Sequence, residues 1–303
     1  MSSPVATTTT SAPASVVTVR DHRPGPLGLL VDTWRHRALI PRIGIRVIVK
    51  GYSGAKLGRF WLIARPVLNI FAMALLFGAV LSAPSAGRPY LLFLLVGMIA
   101  WMSFERFAFW ATRSFDIYRR LARNLAFPLL IVPTAGGMAA AIEFTVLSTL
   151  LAVVVLYYLM ADGTTYLNFG PELLVTVAGF GLTLALAWSI GLWTSALNAY
   201  ARDVRIVFRY VLMVWMYVTP VLYAPSALPE ALQFLATVNP LAAPVEMVKY
   251  GLIDAGSVEA PALAWSLGWL AMIAGSGLWF FARVAPGLLR VQPLVAEDEE
   301  DEA

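Results

Sequence analysis

The sequence predicts an all-α, polytopic membrane protein: six transmembrane helices, an interfacial helix before the first and re-entrant helices after the fifth. Three observations carry this expectation. Of 303 residues, 59% are hydrophobic and 13% charged, whereas a soluble domain carries about 25% charged residues. The apolar residues gather into stretches that mostly reach the length demanded by a hydrocarbon core of about 30 Å. The basic residues gather in alternate loops, as the positive-inside rule requires of a multi-pass chain.

Four regions follow in order. Residues 1–25 are rich in Ser, Thr, Pro and Ala and lack the charged and apolar parts of a secretory signal; they read as a disordered tail. Residues 26–60 form a cytoplasmic interfacial region. In LGLLVDTWRHRALI, Leu27, Leu30, Val31, Trp34 and Ala38 share one helical face, while Asp32, Arg35 and Arg37 fall elsewhere. That pattern suits a helix lying in the headgroup plane, or a short helix packed on other spans. Gly51, Gly54 and Gly58 then surround a basic turn into the membrane. Residues 61–283 form the membrane domain, and residues 284–303 end in the acidic run EDEEDEA, expected to be solvated.

Within the membrane domain, spans are expected at about 61–81, 90–112, 129–160, 173–198, 206–223 and 261–282. The second carries Glu105 and Arg106. The third carries Glu143 and is long enough to tilt or project. After the fifth, the chain breaks at Pro220, Pro225, Pro229 and Pro240. The expectation is a re-entrant piece, because irregular backbone at membrane depth is tolerated where protein or a water-filled cavity surrounds it. PEALQFL opens with proline and an acidic residue, good helix-start chemistry. Arg and Lys crowd the loops before span one, between two and three, between four and five, and after six; the opposite loops hold Arg88 and Lys249. Both termini are therefore expected in the cytoplasm.

The residue inventory excludes several chemistries. There are no cysteines, and the two histidines, His22 and His36, precede the first span. No disulfide, thiolate or zinc–cysteine chemistry follows, and no metal site is expected. No GxxxxGK[ST] phosphate loop occurs, so the chain is not expected to hydrolyse ATP through a Walker-type site and is read as a non-enzymatic subunit. Glu105 and Glu143 are the ionisable groups at membrane depth, and such groups are functional candidates by default. Glu105, beside Arg106, is expected to pair within the bundle or with another helix; Glu143 is expected to line a polar cavity or to accept hydrogen bonds from a neighbouring span. PTAGGMAAA (133–141) supplies small side chains for close helix packing. Residues 113–128 read as a short amphipathic helix, Phe115, Tyr118, Leu121, Ala122 and Leu125 on one face and Arg113, Asp116, Arg120 and Arg123 in water. It suits either a soluble partner or anionic lipid. Trp61, Trp101, Trp110, Trp188, Trp265 and Trp279 near span ends suit an aromatic belt; rings facing a conduit would instead stack on sugars.

Motifs in sequence order add a resemblance. KGYSGAKLGRFWLIARP (50–66), VGMIAWMSF (96–104), NLAFPLLIVP (124–133), ARD (201–203), TPVLY (219–223) and NPLAAPVE (239–246) resemble the marks of permease subunits of ABC-2-type polysaccharide exporters, which move O-antigens, capsules, teichoic acids and galactan. The likeness spans residues 27–282. FPLLIVP departs from the family, which often has a basic residue after Phe-Pro.

The resemblance implies a homodimer with a channel between the copies. It implies two copies of a separate cytoplasmic ABC ATPase that bind MgATP, and no cofactor on this chain itself. It implies the bacterial inner or plasma membrane and a lipid-linked polysaccharide as substrate. The ATPase-coupling residues would be Arg113, Asp116, Tyr118, Arg119, Arg120, Arg123, Asn124 and Phe127. Trp34, Arg42, Arg46, Tyr52, Arg59 and Trp61 would form the gate and headgroup region, its arginines drawing a lipid pyrophosphate. Conduit candidates are Trp101, Phe104, Glu105, Glu143, Tyr217 and Tyr223. Pro220, Pro225, Pro229, Phe234, Asn239 and Pro240 would form the outer gate. Two competing readings are an ion-coupled carrier, which would have to use Glu105 or Glu143, and a membrane enzyme of lipid-linked glycan metabolism.

Overall fold

The computed structural model describes residues 25–51, 56–124, 128–225, 229, 233–234 and 237–288. The α-helices are α1 Pro26–Arg35, α2 Leu39–Gly51, α3 Trp61–Met73, α4 Tyr90–Asn124, α5 Ile131–Thr134, α6 Gly137–Asp162, α7 Leu173–Tyr200, α8 Asp203–Val218, α9 Ala242–Ile253 and α10 Ala260–Leu288. No strand occurs among the described residues. The chain is an all-α, polytopic membrane protein.

Five of the described helical segments are long and apolar enough to cross a bilayer: Trp61–Val80, Tyr90–Tyr118, Ile131–Asp162, Leu173–Tyr200 and Ala260–Ala285. The expected fifth span is shorter than the sequence suggested. It is α8, 16 residues, which ends at Val218 because Thr219 turns to an extended conformation just before Pro220, a residue that disfavours helix in its predecessor. Turns are described at 219–221 and 240–241, and the next long helix is α9.

Helix boundaries follow local chemistry. Pro26 starts α1, where its missing N–H costs nothing. The expected single interfacial helix breaks at 36–38 and resumes as α2. α3 runs into a π-helical stretch, Ala74–Val80, whose wider turns shift its side chains around the axis. Gly163 closes α6 with φ 71, the left-handed cap that glycine adopts without strain. Asp203 opens α8, favourable at a positive helix end.

α4 is the axle of the bundle. Leu92 to Val96, Met98, Ala100, Trp101 and Phe104 are all buried, sheathed by α6, α7, α8 and α9. α3 and α10 lie at the periphery, leaving Ile63, Leu68, Phe71, Met272 and Trp279 exposed in the manner of lipid-facing helices. The small-residue run packs as expected: a Cβ on Gly136 would sit 2.8 Å from Ala111 N and 3.0 Å from Phe107 O. Backbone thus approaches backbone where α4 passes the α5–α6 turn, the contact that small residues allow.

Candidate functional site

Functional side chains gather at three levels along α4. The first lies toward its Asn124 end. Asp116 Oδ2 accepts from Asn198 Nδ2 at 3.0 Å and from Arg205 Nη1 at 3.1 Å. One carboxylate thereby joins α4, α7 and α8. Thr112 and Thr194 share a hydroxyl hydrogen bond at 2.7 Å. The Tyr118 hydroxyl donates to Ile43 O, bringing α2 against α4. Phe115 packs on Phe281 at 6.0 Å. The Asn124 end of α4 is therefore tied to α2, α7, α8 and α10.

The second level is at mid-helix. Arg106 Nε donates to Glu143 Oε2 at 3.1 Å, with side-chain exposures of 11% and 6%. Removing two charges from water is costly unless they pair, so each supports the other. Glu143 Oε1 has no hydrogen-bond partner among the described residues.

The third level surrounds the turn after α8 and the start of α9. Asn239 is buried and receives Trp215 Nε1 at 2.9 Å on its carbonyl. Its amide donates to Thr219 Oγ1 at 2.9 Å, and its carbonyl also caps Leu241 N at 3.0 Å. Lys249 is 0% exposed. Its ammonium donates to Pro220 O at 2.7 Å, pairs with Glu246 and lies 4.2 Å from the Phe93 ring centre. Glu246 Oε2 in turn accepts from Ser257 N at 3.2 Å. Tyr90 holds Leu222 O at 2.9 Å. A Cβ on Gly97 would sit 2.9 Å from Val221 O, so the second motif's glycine admits this turn to the side of α4.

A family comparison spans most of these residues. The profile of the ABC-2 type transporter family matches residues 44–253. The chain belongs to the ABC-2 type transporter family. Similar proteins include the O-antigen export system permease protein RfbA of Klebsiella pneumoniae, 25% identical over 193 residues, which are 63% of this chain and 71% of that protein. The protein of the same name from Myxococcus xanthus is 24% identical over 215 residues, 70% of this chain and 79% of that one.

The ABC-2 transporter fold brings some of the sequence-selected residues together and separates others. The expected short helix at 113–128 is not a separate element: α4 continues unbroken from Tyr90 to Asn124. Arg113 and Asp116, expected in water, are partly buried, because α7 and α8 pack over them. Arg119, Arg120, Arg123 and Asn124 lie in the last turns of α4, and Phe127 lies outside the described residues. Trp34, Arg42 and Arg46 are exposed on α1 and α2, and Trp61 is exposed at the start of α3. Arg59 belongs to the turn Gly58–Phe60, and Tyr52 lies outside the described residues.

Trp101 and Phe104 are buried inside the chain, 5.5 Å apart, with Phe104 edge-on to Trp215. That position corrects the expected aromatic belt for Trp101 and leaves neither ring a face for a channel between copies. Arg106 pairs with Glu143 and not with its neighbour Glu105, because α6 presents Glu143 to it. Tyr217 is exposed, and its carbonyl receives the Tyr223 hydroxyl at 2.8 Å. Pro220 and Asn239 meet in the third level. Pro225 lines a cleft of about 300 Å³ with Glu246 and Ser257. Pro229 and Phe234 are exposed, Pro240 is half-buried, and most of 226–236 lies outside the described residues.

Three contributors escaped sequence reasoning: Asn198, Arg205 as an ion-pair partner, and Lys249. Lys249 carried a readable signal. It stands three residues after Glu246 in the otherwise apolar helix AAPVEMVKYGLI, a spacing that places opposite charges side by side.

Proposed function

We propose that this chain is the membrane permease subunit of an ATP-driven exporter of a lipid-linked polysaccharide. It works as a homodimer with two copies of a separate cytoplasmic ABC ATPase, which bind and hydrolyse MgATP. The observation that carries this reading is the family match over residues 44–253, together with relatives named O-antigen export permeases. The bundle's internal connectivity supports it. The Asn124 end of α4 is bonded to α2, α7 and α8, and its Tyr90 end holds the re-entrant turn.

In this reading the last turns of α4 and the segment after it receive the ATPase, α1 and α2 form the gate at the cytoplasmic face, and the turn from Pro220 to Pro240 forms the outer gate. Both termini lie in the cytoplasm. The ion-coupled carrier fits less well, because Glu143, one of the two glutamates it would have to use, is already paired with Arg106. The experiment is co-purification from the native cell, then reconstitution in vesicles with lipid-linked glycan inside. A stoichiometric ATPase and nucleotide-dependent glycan export are expected. Glycan export by the chain alone, without nucleotide, overturns the proposal.

A further inference from the structure

Three arginines meet at the seam between α4 and α8 with one carboxylate among them. Arg113 lies 23 residues along α4 from Tyr90, roughly 35 Å at about 1.5 Å per residue. That depth puts it at the boundary of a hydrocarbon core about 30 Å thick. Arg205 and Arg209 stand in the first two turns of α8. The guanidiniums of Arg113 and Arg209 both lie against the Phe109 ring, at 5.8 and 5.2 Å from its centre. Arg113 also lies 5.8 Å from the Trp110 ring centre. Arg205, Arg209 and Asp116 are all close enough to Arg113 to act on it electrostatically.

The charges do not balance. Asp116 Oδ2 already accepts from Arg205 and from Asn198. Neither Arg113 nor Arg209 forms an ion pair among the described residues. Arg113 Nε is buried with no hydrogen-bond partner, and a buried donor left unsatisfied carries its full desolvation penalty. Ring faces offset only part of the cost of gathering like charges. Guanidiniums fork onto phosphate oxygens in pairs, and an anion of two or more charges would neutralise the surplus.

We propose that Arg113, Arg205 and Arg209 form a binding site for a phosphate or diphosphate group at the edge of the membrane. It rests on the exporter reading only for the source of that group, the phosphate end of a lipid-linked substrate. It stands apart from the exposed arginines of α2.

The test uses the full chain purified in a maltoside detergent, with no ATPase or nucleotide. Inorganic diphosphate is titrated and binding read by calorimetry. Saturable binding near one diphosphate per chain is expected, weakened about tenfold or more by Arg113→Gln and by Arg209→Gln. Arg88→Gln, before the opposite end of α4 where Arg88 pairs with Asp254, leaves it unchanged. Arg209 is exposed, so its replacement spares the packing. Arg209→Lys keeps the charge but lacks the fork and restores binding only in part. A second arm offers maltoside micelles containing phosphatidic acid. Binding there alone assigns a lipid headgroup as the source, and binding of free diphosphate alone assigns a soluble anion; binding in both arms assigns the phosphate group itself. Absence of saturable binding in both arms, or binding indifferent to Arg113→Gln and Arg209→Gln, overturns the site. Since neither glycan nor ATPase enters this assay, its failure leaves the exporter reading intact, and failed export in vesicles leaves the anion result intact.

Discussion

The Lys249 ammonium donates to the Pro220 carbonyl at 2.7 Å, and both residues are buried. The oxygen belongs to the first proline of the break after α8, so a single lysine satisfies the turn and holds α9 beneath it. Removing one partner of a buried pair costs about 3–5 kcal/mol, because the other charge is stranded. Lys249→Met is therefore expected to lower thermal stability sharply, and Lys249→Met with Glu246→Leu to recover much of the loss. Thermal unfolding of the purified variants in detergent checks this; equal stability of the single and double variants would contradict the pairing.

The Arg106–Glu143 pair gives a second expectation. Glu143→Gln leaves the buried guanidinium uncompensated and is expected to reduce the folded yield in the membrane. Arg106→Met with Glu143→Leu removes both charges, and replacing a buried pair by apolar residues is often neutral or stabilising. Glycan export by the double variant is expected to persist. Its abolition, with folded protein present, favours an ion-coupled carrier.

Tyr118→Phe deletes one hydrogen bond, from the phenol to Ile43 O, a contribution of about 0.5–1.5 kcal/mol. Folding is expected to survive. With the ATPase bound, nucleotide hydrolysis is expected to continue while export per ATP falls, since α2 is less firmly held to α4. Hydrolysis and export measured together in vesicles decide this; a parallel fall in both argues against a linking role.

Gly136→Val should break the close approach of the α5–α6 turn to α4. The added Cβ meets the backbone at Ala111 and Phe107, which cannot move like a flexible side chain, and overpacking costs about 1–3 kcal/mol. A lower melting temperature is expected. Gly181→Val, inside α7 with open space around it, is the control.

The native chain has no cysteine, so single cysteines report sidedness directly. With the termini in the cytoplasm, a cysteine at Asp254 labels from outside intact cells and one at Arg202 only after permeabilisation. The reverse pattern inverts the topology.

Long apolar runs were legible, and α3, α6, α7 and α10 lie close to where the sequence put them. Hydropathy speaks of length and composition, so it could not separate a span from its cytoplasmic extension. Tyr90 to Asn124 read as two elements because charged residues become frequent from Arg113 onward, yet helix hydrogen bonds do not stop where polarity changes. Trp101 was misread for a related reason. Its place near a span end suits a lipid interface, but the sequence does not reveal that neighbouring helices enclose α4 on all sides. The proline break was legible from its spacing. The partners that hold it, Asn239 to Trp215 and Lys249 to Pro220, depend on tertiary proximity that no local pattern encodes.

The unbroken course of α4 has a mechanical consequence. A helix of 35 residues is a rod about 50 Å long. It abuts the turn at Val221 beside Gly97 and carries Asp116 and Tyr118 some five turns further on. In the proposed exporter, a thrust delivered at one extremity would arrive at the other with little slack, so the inner and outer gates would answer to one lever and be poorly placed to stand open independently.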